Sequence, residues 1–316
     1  MTRRVAVELP HTYGIEYGEI LGFILGDGSL GKQISFSNAK MECIKRILED
    51  FEIVFGVSNE DFHCHIDMPA TSSEMECISY WRRNTGITKI RVSKSEKTKA
   101  HYGVLTARIT DGNMGSVIKA DISGVLNGKI TERNVLLGFL RGFFAAEGAI
   151  IPGKVRKQVP NSIQFPQKGM LIPEAISKIL KKFGIENRVV IKERKADYYC
   201  ANITGYENFE KVFTLGIVDL HPEKKEKLGK GLGSYKKKIS RKHITTLKLL
   251  RELQKRPLTR KEIYEAMESY PQKINSMIYA QKSCLLKKRL IKKFDHEGNT
   301  VWGVTEEGEK FIELHS

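Results

Sequence analysis

Residues 20–30, ILGFILGDGSL, and residues 140–150, LRGFFAAEGAI, carry one shared pattern. Each has a glycine at its third position and an acid–glycine pair at its eighth and ninth, so Asp27 and Glu147 occupy matching places. Apolar residues surround small ones in both, which allows two helices to approach closely. A glycine directly after the acid is typical of a helix end, because glycine readily adopts a left-handed cap. The two stretches predict packed helices that end side by side at Asp27 and Glu147.

The sequence that follows each stretch repeats as well. Residues 34–36 precede a predicted helix and match residues 163–165, which precede another. Further on, TARITD (106–111) matches CANITG (200–205). Both halves are predicted as helix, two strands, helix, two strands, helix. One unit is therefore predicted to be duplicated in the chain, with a pseudo-twofold relation between its copies.

The two acids suggest a metal site. Adjacent carboxylates at helix C-termini repel each other and are disfavoured by the helix dipole. A divalent cation between them would offset that cost, and oxygen ligands suit Mg²⁺. Phosphodiester hydrolysis is a reaction that shared Mg²⁺ ions support. We therefore predict Asp27 and Glu147 as catalytic acids and metal ligands, with Mg²⁺ as the cofactor and Mn²⁺ as a substitute.

ILGFILGDG and LRGFFAAEG resemble the two copies of the LAGLIDADG motif, and residues 14–222 resemble a single-chain LAGLIDADG homing endonuclease. Glu147 departs from the strict motif but keeps the carboxylate. The resemblance implies an α+β fold, with a pseudo-twofold duplicated αββαββα core whose antiparallel sheets form a saddle over the DNA major groove. It implies a monomer that needs no protein partner. Its activity would be Mg²⁺-dependent double-strand cleavage of a long DNA site, with one motif acid serving each strand.

The resemblance also implies further residues at the catalytic centre. The family has a polar residue at the end of the second strand of each half, which falls on Asn38 and Gln167 and would order the attacking water. Polar residues that simply end a strand are the alternative interpretation. A basic residue before the second motif would reach the scissile phosphates, and Lys129 fits that place. Its equivalent in the second half falls near His221 or Lys224.

Strands that face DNA should alternate outward polar side chains with inward apolar ones. Residues 89–99, 153–165 and 188–199 do so. Arginine suits guanine and glutamine suits adenine. The predicted DNA contacts on these strands are Arg91, Lys94, Arg156, Gln158, Gln164, Lys192 and Arg194. Solvated strand charges are the alternative for each.

The overall charge favours a polyanionic partner, double-stranded DNA in this interpretation. The chain has 53 Lys and Arg against 37 Asp and Glu, a net charge of +16, with 41% hydrophobic residues. Its five cysteines show no CxxC spacing, which favours a reducing compartment, cytoplasmic or nucleoid-associated, over a disulfide framework. The first residues lack the unbroken apolar stretch of a signal peptide. Charges also interrupt the most apolar segment, residues 135–150, so no membrane span is predicted.

Charge and glycine content suggest domain boundaries. The two LAGLIDADG halves are predicted over residues 1–130 and 131–222. Residues 223–242 hold nine Lys and Arg but only two acids, and they also contain three glycines. This segment is predicted as a basic linker. Such a linker either lies along phosphates or is a solubilising tether. A separate module is predicted over residues 243–316.

This C-terminal module resembles a winged helix-turn-helix. A first helix is expected to end at Pro257, and Thr259 to cap a second together with Glu262. A long basic helix is predicted to reach Lys293, followed by a hairpin through residues 296–299 and a wing-like VTEEGEKF. The basic helix would enter the major groove, with contacts from Lys282, Lys287 and Lys288. The alternative is a module that never touches DNA.

Other functions are weighed against the endonuclease. A transcription regulator that pairs a degenerate LAGLIDADG fold with a helix-turn-helix is the non-catalytic alternative, and acids in both motifs argue against it. An RNA-binding intron maturase is a third possibility. A self-splicing intein is disfavoured because the chain begins at Met1. His63-Cys64-His65 is interpreted as a structural strand, because alternation puts the cysteine on the opposite face from both histidines.

Overall fold

The computed structural model describes residues 14–153, 159–191, 197–267, 275, 277–279 and 285–315. The chain divides into two compact units, one up to Gly233 and one from Ser234. Within the described residues, no helix combines the length and apolar character that crossing a membrane requires.

The first unit begins with α1 (Ile15–Asp27), β1 (Gly28–Leu30), β2 (Ile34–Asn38), α2 (Met41–Phe55), β3 (His63–Pro69), α3 (Glu74–Thr85), β4 (Ile90–Ser95), β5 (Val104–Ile109) and α4 (Gly112–Leu126). It continues with α5 (Arg133–Ala146), β6 (Ala149–Pro152), β7 (Pro160–Lys168), α6 (Leu171–Lys182), β8 (Asn187–Ile191), β9 (Tyr198–Ile203) and α7 (Tyr206–Thr214). The fold is mixed α+β.

The two sheets of this unit differ in size. The first has the strand order β1-β2-β5-β3-β4 and the second β6-β7-β9-β8. The predicted two-strand, helix, two-strand order fits the second half but is wrong for the first, where α3 and β4 are inserted before β5. The prediction of antiparallel sheets also fails at β4, which pairs with β3 in parallel. A parallel pair needs a crossover connection, and α3 supplies it.

The two motif helices, α1 and α5, pack backbone against backbone. A Cβ added at Gly22 would lie 2.1 Å from the Phe139 carbonyl oxygen, and one at Gly142 would lie 2.1 Å from that of Glu19. Gly18 faces Val135 in the same way, so the helices run in the same direction. The glycine at the third position of each motif thus serves the contact that the sequence predicts.

Aromatic residues fill the space between the helices and the sheets. Phe36 of β2 meets Phe23 of α1 edge to face, with ring centroids 6.1 Å apart, and stacks on Phe51 of α2 at 5.6 Å. In the second half Phe165 of β7 packs on Phe144 at 5.1 Å. The helices therefore cover one face of each sheet.

Four ionisable side chains lie beside the helix pair. Arg46 Nε lies 3.0 Å from Glu19 Oε2 and 3.0 Å from Asp50 Oδ1. Arg141 of α5 approaches Glu19 Oε1 at 3.4 Å and donates to the Leu215 carbonyl at 3.0 Å. Glu19 and Asp50 are buried. This group, the Glu19–Asp50 cluster, joins α1, α2 and α5.

The predicted linker, residues 223–242, is helical and belongs to α8 (Pro222–Lys255). Proline suits the first helical position, and His221 Nδ1 accepts a hydrogen bond from the Lys224 backbone N–H at 3.4 Å. Lysine is also a good helix former. These features favour a helix despite the three glycines, and the boundary between the two units, at Gly233, lies within this segment.

The second unit contains the end of α8, β10 (Leu258–Thr259), α9 (Arg260–Met267), β11 (Ile291–His296), β12 (Asn299–Val304) and α10 (Glu306–His315). Thr259 and Glu262 cap α9 reciprocally, as predicted: the Thr259 N–H donates to Glu262 Oε2 at 2.7 Å, and the Glu262 N–H donates to Thr259 Oγ1 at 3.4 Å. The hairpin is also present, with positive φ at Glu297 and Gly298 in its turn.

Two expectations for this unit are wrong. The basic helix does not reach Lys293, because that residue pairs in β11 with Trp302 of β12. VTEEGEKF does not form a wing, because the chain turns into α10 at Glu306. The Thr305 hydroxyl caps that helix by accepting a hydrogen bond from the Gly308 N–H at 3.2 Å.

Candidate active site

The two motif acids lie together at the C-terminal ends of α1 and α5. Asp27 is the last residue of α1, and Glu147 is the C-cap of α5. A Cβ added at Gly26 would lie 2.5 Å from the Ala146 Cβ and 3.3 Å from Glu147 Cγ. The parallel packing of the helices thus brings the two acids together.

Asn38 ends β2 and contacts the first acid. Its Nδ2 donates to Asp27 Oδ2 at 2.8 Å, while its Oδ1 accepts from the Lys40 backbone N–H at 2.8 Å. Burial raises the pKa of Asp27, and the Asn38 hydrogen bond and the charge of Lys224 oppose that rise. Asn38 therefore holds the carboxylate in place and favours its ionised form.

Lys224 is the basic residue of this centre. Its Nζ donates to the Phe144 and Ala145 carbonyl oxygens, at 2.9 and 2.8 Å, at the C-terminal end of α5. Burial lowers the pKa of Lys224 to about 8, and the nearby Asp27 and Glu147 act in the opposite sense. The ammonium group thus sits in the field of both acids. His221, the other candidate, is buried and caps α8 instead.

Lys129 is not in this centre, so its predicted catalytic role is wrong. It is exposed and follows α4, four residues before the start of α5. Glu147 lies at the opposite end of that helix, and fourteen helical residues span about 21 Å. Closeness to the motif in sequence placed Lys129 at the wrong end of α5.

Gln167 lies at the end of β7, where the second polar residue was predicted. Its side-chain oxygen accepts a hydrogen bond from the Lys168 backbone N–H at 2.9 Å. Glu147 lies close enough to Tyr198 to affect its ionisation: burial raises the pKa of Tyr198, and the negative charge of Glu147 raises it further. The structure therefore brings Asn38 to its acid and does not bring Gln167 to Glu147 in the same way.

The donor set suits a hard divalent cation. Mg²⁺ is commonly held by one or two carboxylates, with water and substrate phosphate oxygens completing its shell. Asp27 and Glu147 supply two such carboxylates. Among the described residues no cluster of three or more His, Cys, Asp or Glu side chains could hold a metal. His63-Cys64-His65 is, as predicted, part of a strand.

The first sheet has one polar face, opposite the helices. By register this face carries the odd-numbered residues of β2, β3 and β4 and the even-numbered residues of β5, since Ser35 pairs with Arg108, His65 with Thr106 and Arg91 with His65. Arg91 thus lies on the polar face as predicted. Lys94 does not: it pairs with Met68 and lies on the face that the helices cover. Alternation along β4 separates the two cations.

The second sheet also has a face opposite its helices. Gln164 lies there, as predicted, and donates to Asn202 Oδ1 at 3.3 Å. Arg188, which pairs with Asn202 and is exposed, shares this face. Sequence reasoning missed Arg188 and also Arg108 of the first sheet. The alternation that predicted Arg91 applies equally to both strands and would have found them.

Five of the predicted DNA contacts lie outside the described residues: Arg156, Gln158, Lys192, Arg194 and Lys282. Lys287 and Lys288 are exposed, in a turn directly before β11 rather than in the predicted helix.

Residues 134–215 match the family model of a LAGLIDADG-like domain. This match covers α5 to α7. No curated protein sequence matches the chain.

Solved structures show similarity at low identity. One is the homing endonuclease I-DmoI in complex with DNA and Mn, with a TM-score of 0.42 and 15% identity over 65% of this chain and 97% of that chain. Mesophilic variants of I-DmoI give 0.40 and 14%, covering 64% and 94%. Full-length DUF199/WhiA from Thermatoga maritima gives 0.42 and 14%, covering 84% and 89%.

Proposed function

We propose that this protein is a sequence-specific DNA endonuclease that makes Mg²⁺-dependent double-strand breaks in a long site, acting as a monomer. The observation that carries this proposal is the pair of acids, Asp27 and Glu147, at the adjoining ends of two parallel helices. Each acid would serve one strand of the duplex. Four of the described cysteines are buried and form no disulfide, which supports action in a reducing compartment: Cys43, Cys64, Cys77 and Cys200.

The duplicated origin of the core belongs to this proposal. The contacts of α1 and α5 are reciprocal: Gly22 faces the Phe139 carbonyl, and Gly142 faces the Glu19 carbonyl. Phe139 and Glu19 occupy equivalent positions, each directly before its motif. A contact surface that pairs with its own equivalent is the mark of a twofold relation. Such symmetry would present both acids to a duplex whose strands are themselves related by a twofold axis.

Each residue of the centre would have a separate task. Asn38, which donates a hydrogen bond to Asp27, would orient that acid and order the attacking water. Lys224 would neutralise charge that develops on the scissile phosphate, because its ammonium lies in the field of both acids. Mg²⁺, when bound, would be held by Asp27 and Glu147 and would stabilise negative charge on the reacting phosphate.

The second unit would supply further affinity for DNA. Its order of helix, short strand, helix, hairpin and helix supports a winged-helix assignment, with the hairpin of β11 and β12 as the wing. Exposed Lys287 and Lys288 would contact the phosphate backbone. Joining two DNA-binding modules lengthens the recognised site and raises affinity.

The test is selection of cleaved sequences from a randomised duplex library in Mg²⁺, comparing wild type with Asp27→Asn and Glu147→Gln. We expect wild type to cut one site, and each variant to lose double-strand cleavage while it still binds that site, because each variant keeps side-chain volume and loses a metal-binding charge. Electrophoresis of the cleaved site and a binding titration give the two readouts.

Glu132→Gln is the matched control, because Glu132 is the N-cap at the other end of the helix that carries Glu147. This variant should cut like wild type. Undiminished double-strand cleavage by Asp27→Asn or Glu147→Gln would contradict the roles assigned to the acids.

One observation favours a second candidate, a DNA-binding protein that does not cut. Lys224 already places a positive charge beside the two acids and hydrogen bonds to the α5 carbonyls. An internal cation can stabilise paired carboxylates without metal. Enrichment of one site by binding, with no cleavage in Mg²⁺ or Mn²⁺, would favour this candidate.

A further inference from the structure

Within the described residues, the inserted strand β4 gives the first sheet a fifth strand that has no counterpart in the four-stranded second sheet. The order β1-β2-β5-β3 corresponds to β6-β7-β9-β8, and β4 then adds a fifth strand beyond β3. Six residue pairs join β4 to β3 without a break, from Cys64–Ile90 to Pro69–Ser95. The insertion therefore widens the sheet rather than forming a loop outside it.

The polar face continues across this added strand. Ser93 Oγ donates to Asp67 Oδ1 at 2.6 Å and lies 2.8 Å from His65 Nε2, so side chains of β3 and β4 form one hydrogen-bonded group. Arg91 is exposed and lies beside His65 in the register. Arg91 thus lies next to side chains that hydrogen bonds hold in place.

A groove of about 630 Å³ runs along this part of the face. Cationic and hydrogen-bonding side chains line it, among them Lys89, Arg91, Arg108, His63, His65 and Gln33. Lysine and arginine suit phosphates, and arginine also forms bidentate bonds to guanine. The groove therefore combines backbone-binding and base-reading groups.

We propose that β4 extends the DNA-reading face, so that the half-site bound by the first sheet is longer than the half-site bound by the second. Arg91 reads the outermost base pairs and prefers guanine there. Neighbouring strands lie about 4.8 Å apart and base pairs about 3.4 Å apart, so one strand adds one or two base pairs. This inference rests on the proposed binding of DNA by the sheets.

The experiment profiles recognition with wild type, Arg91→Ala and Lys94→Ala. Lys94 is the matched control, because it is an exposed cation on the same strand but on the opposite face. Each base pair of the selected site is replaced in turn, and both binding and cleavage are measured. Thermal unfolding of the variants checks that each is folded.

We expect Arg91→Ala to lose discrimination of about 5- to 100-fold at one or two outer positions of one half-site, and to leave the other positions unchanged. Lys94→Ala should keep the wild-type profile. A uniform loss at all positions, or no change, in Arg91→Ala would overturn the proposal.

The two readouts separate this inference from the proposed function. If wild type binds a site and does not cut it, the endonuclease proposal fails, while the binding profile still tests Arg91. If wild type cuts a site whose two halves are of equal length, the endonuclease proposal stands and this inference fails. If wild type binds no duplex, both are overturned.

Discussion

At the scale of the residue, Lys224 distinguishes a structure-based assignment from a sequence-based one. We expect Lys224→Met to lower the cleavage rate by about 100-fold or more, because a charge beside the reacting phosphate is lost. Binding of the uncleaved site should change much less. Single-turnover cleavage and a binding titration measure the two effects, and thermal unfolding reports whether the freed Phe144 and Ala145 carbonyls affect stability.

Lys129→Met is the control for this variant, because Lys129 is an exposed lysine at the other end of α5. It should cleave at the wild-type rate. A loss of cleavage in Lys129→Met comparable to that in Lys224→Met would restore the sequence-based assignment.

The same residues show how far the sequence predicts the centre. Asp27 and Glu147 were predicted from a repeated acid at matching positions, and Asn38 from the end of its strand. The sequence leaves His221 and Lys224 as alternatives, because the place of Lys224 depends on how α8 folds back onto the end of α5. That contact joins positions 80 residues apart, and no local pattern encodes it.

At the scale of the element, the contact of α1 with α5 should tolerate no side chain at its closest points. We expect Gly22→Ala to lower the free energy of unfolding by about 1–3 kcal/mol or more, because its Cβ would lie 2.1 Å from the Phe139 carbonyl oxygen. Neither backbone can move without disturbing the other. Urea denaturation measures the change.

Gly115→Ala is the control, since Gly115 is also a buried glycine within a helix. A Cβ there would lie 3.5 Å from Ile34 Cγ1, an ordinary contact. Alanine favours helix by up to about 1 kcal/mol over glycine, so this variant should be as stable as wild type or more stable. Equal stability losses in the two variants would contradict the close approach of α1 and α5.

Elements are predicted well where local pattern decides them and poorly where tertiary contacts do. The two motif helices, the strands after them and the α9 cap follow from periodicity and capping residues. The inserted α3 and β4 were missed as a crossover, because strand alternation does not show whether a neighbour is parallel. The grouping of Lys94 with Arg91 has a different cause: the two residues are three positions apart, so strand alternation already places them on opposite faces.

At the scale of the whole molecule, the Glu19–Asp50 cluster links the pH of the solution to stability. Burial and then the negative charge of Glu19 raise the pKa of Asp50 from 3.8 to about 9, against the opposing charge of Arg46. The folded state therefore keeps a proton that the unfolded state releases. Stability is fully present below about pH 4 and is lost as the pH rises towards 9.

We expect Asp50→Asn to remove this part of the pH dependence, because asparagine has nearly the same size and does not ionise. Relative to wild type, the variant should gain stability as the pH rises from 5 to 9. Urea denaturation at both pH values measures this. Asp111→Asn, which keeps its helix cap, is the control and should follow wild type; a parallel response in Asp50→Asn would contradict the assignment.

The strand that widens the first sheet also ends it. An edge strand presents unpaired backbone N–H and C=O groups, which can pair with the same edge of another molecule and begin aggregation. Along β4, exposed Arg91 and Lys94 carry like charges on both faces. Two copies approaching edge to edge would therefore repel each other on either face of the sheet. Together, the two cations thus oppose self-association along β4.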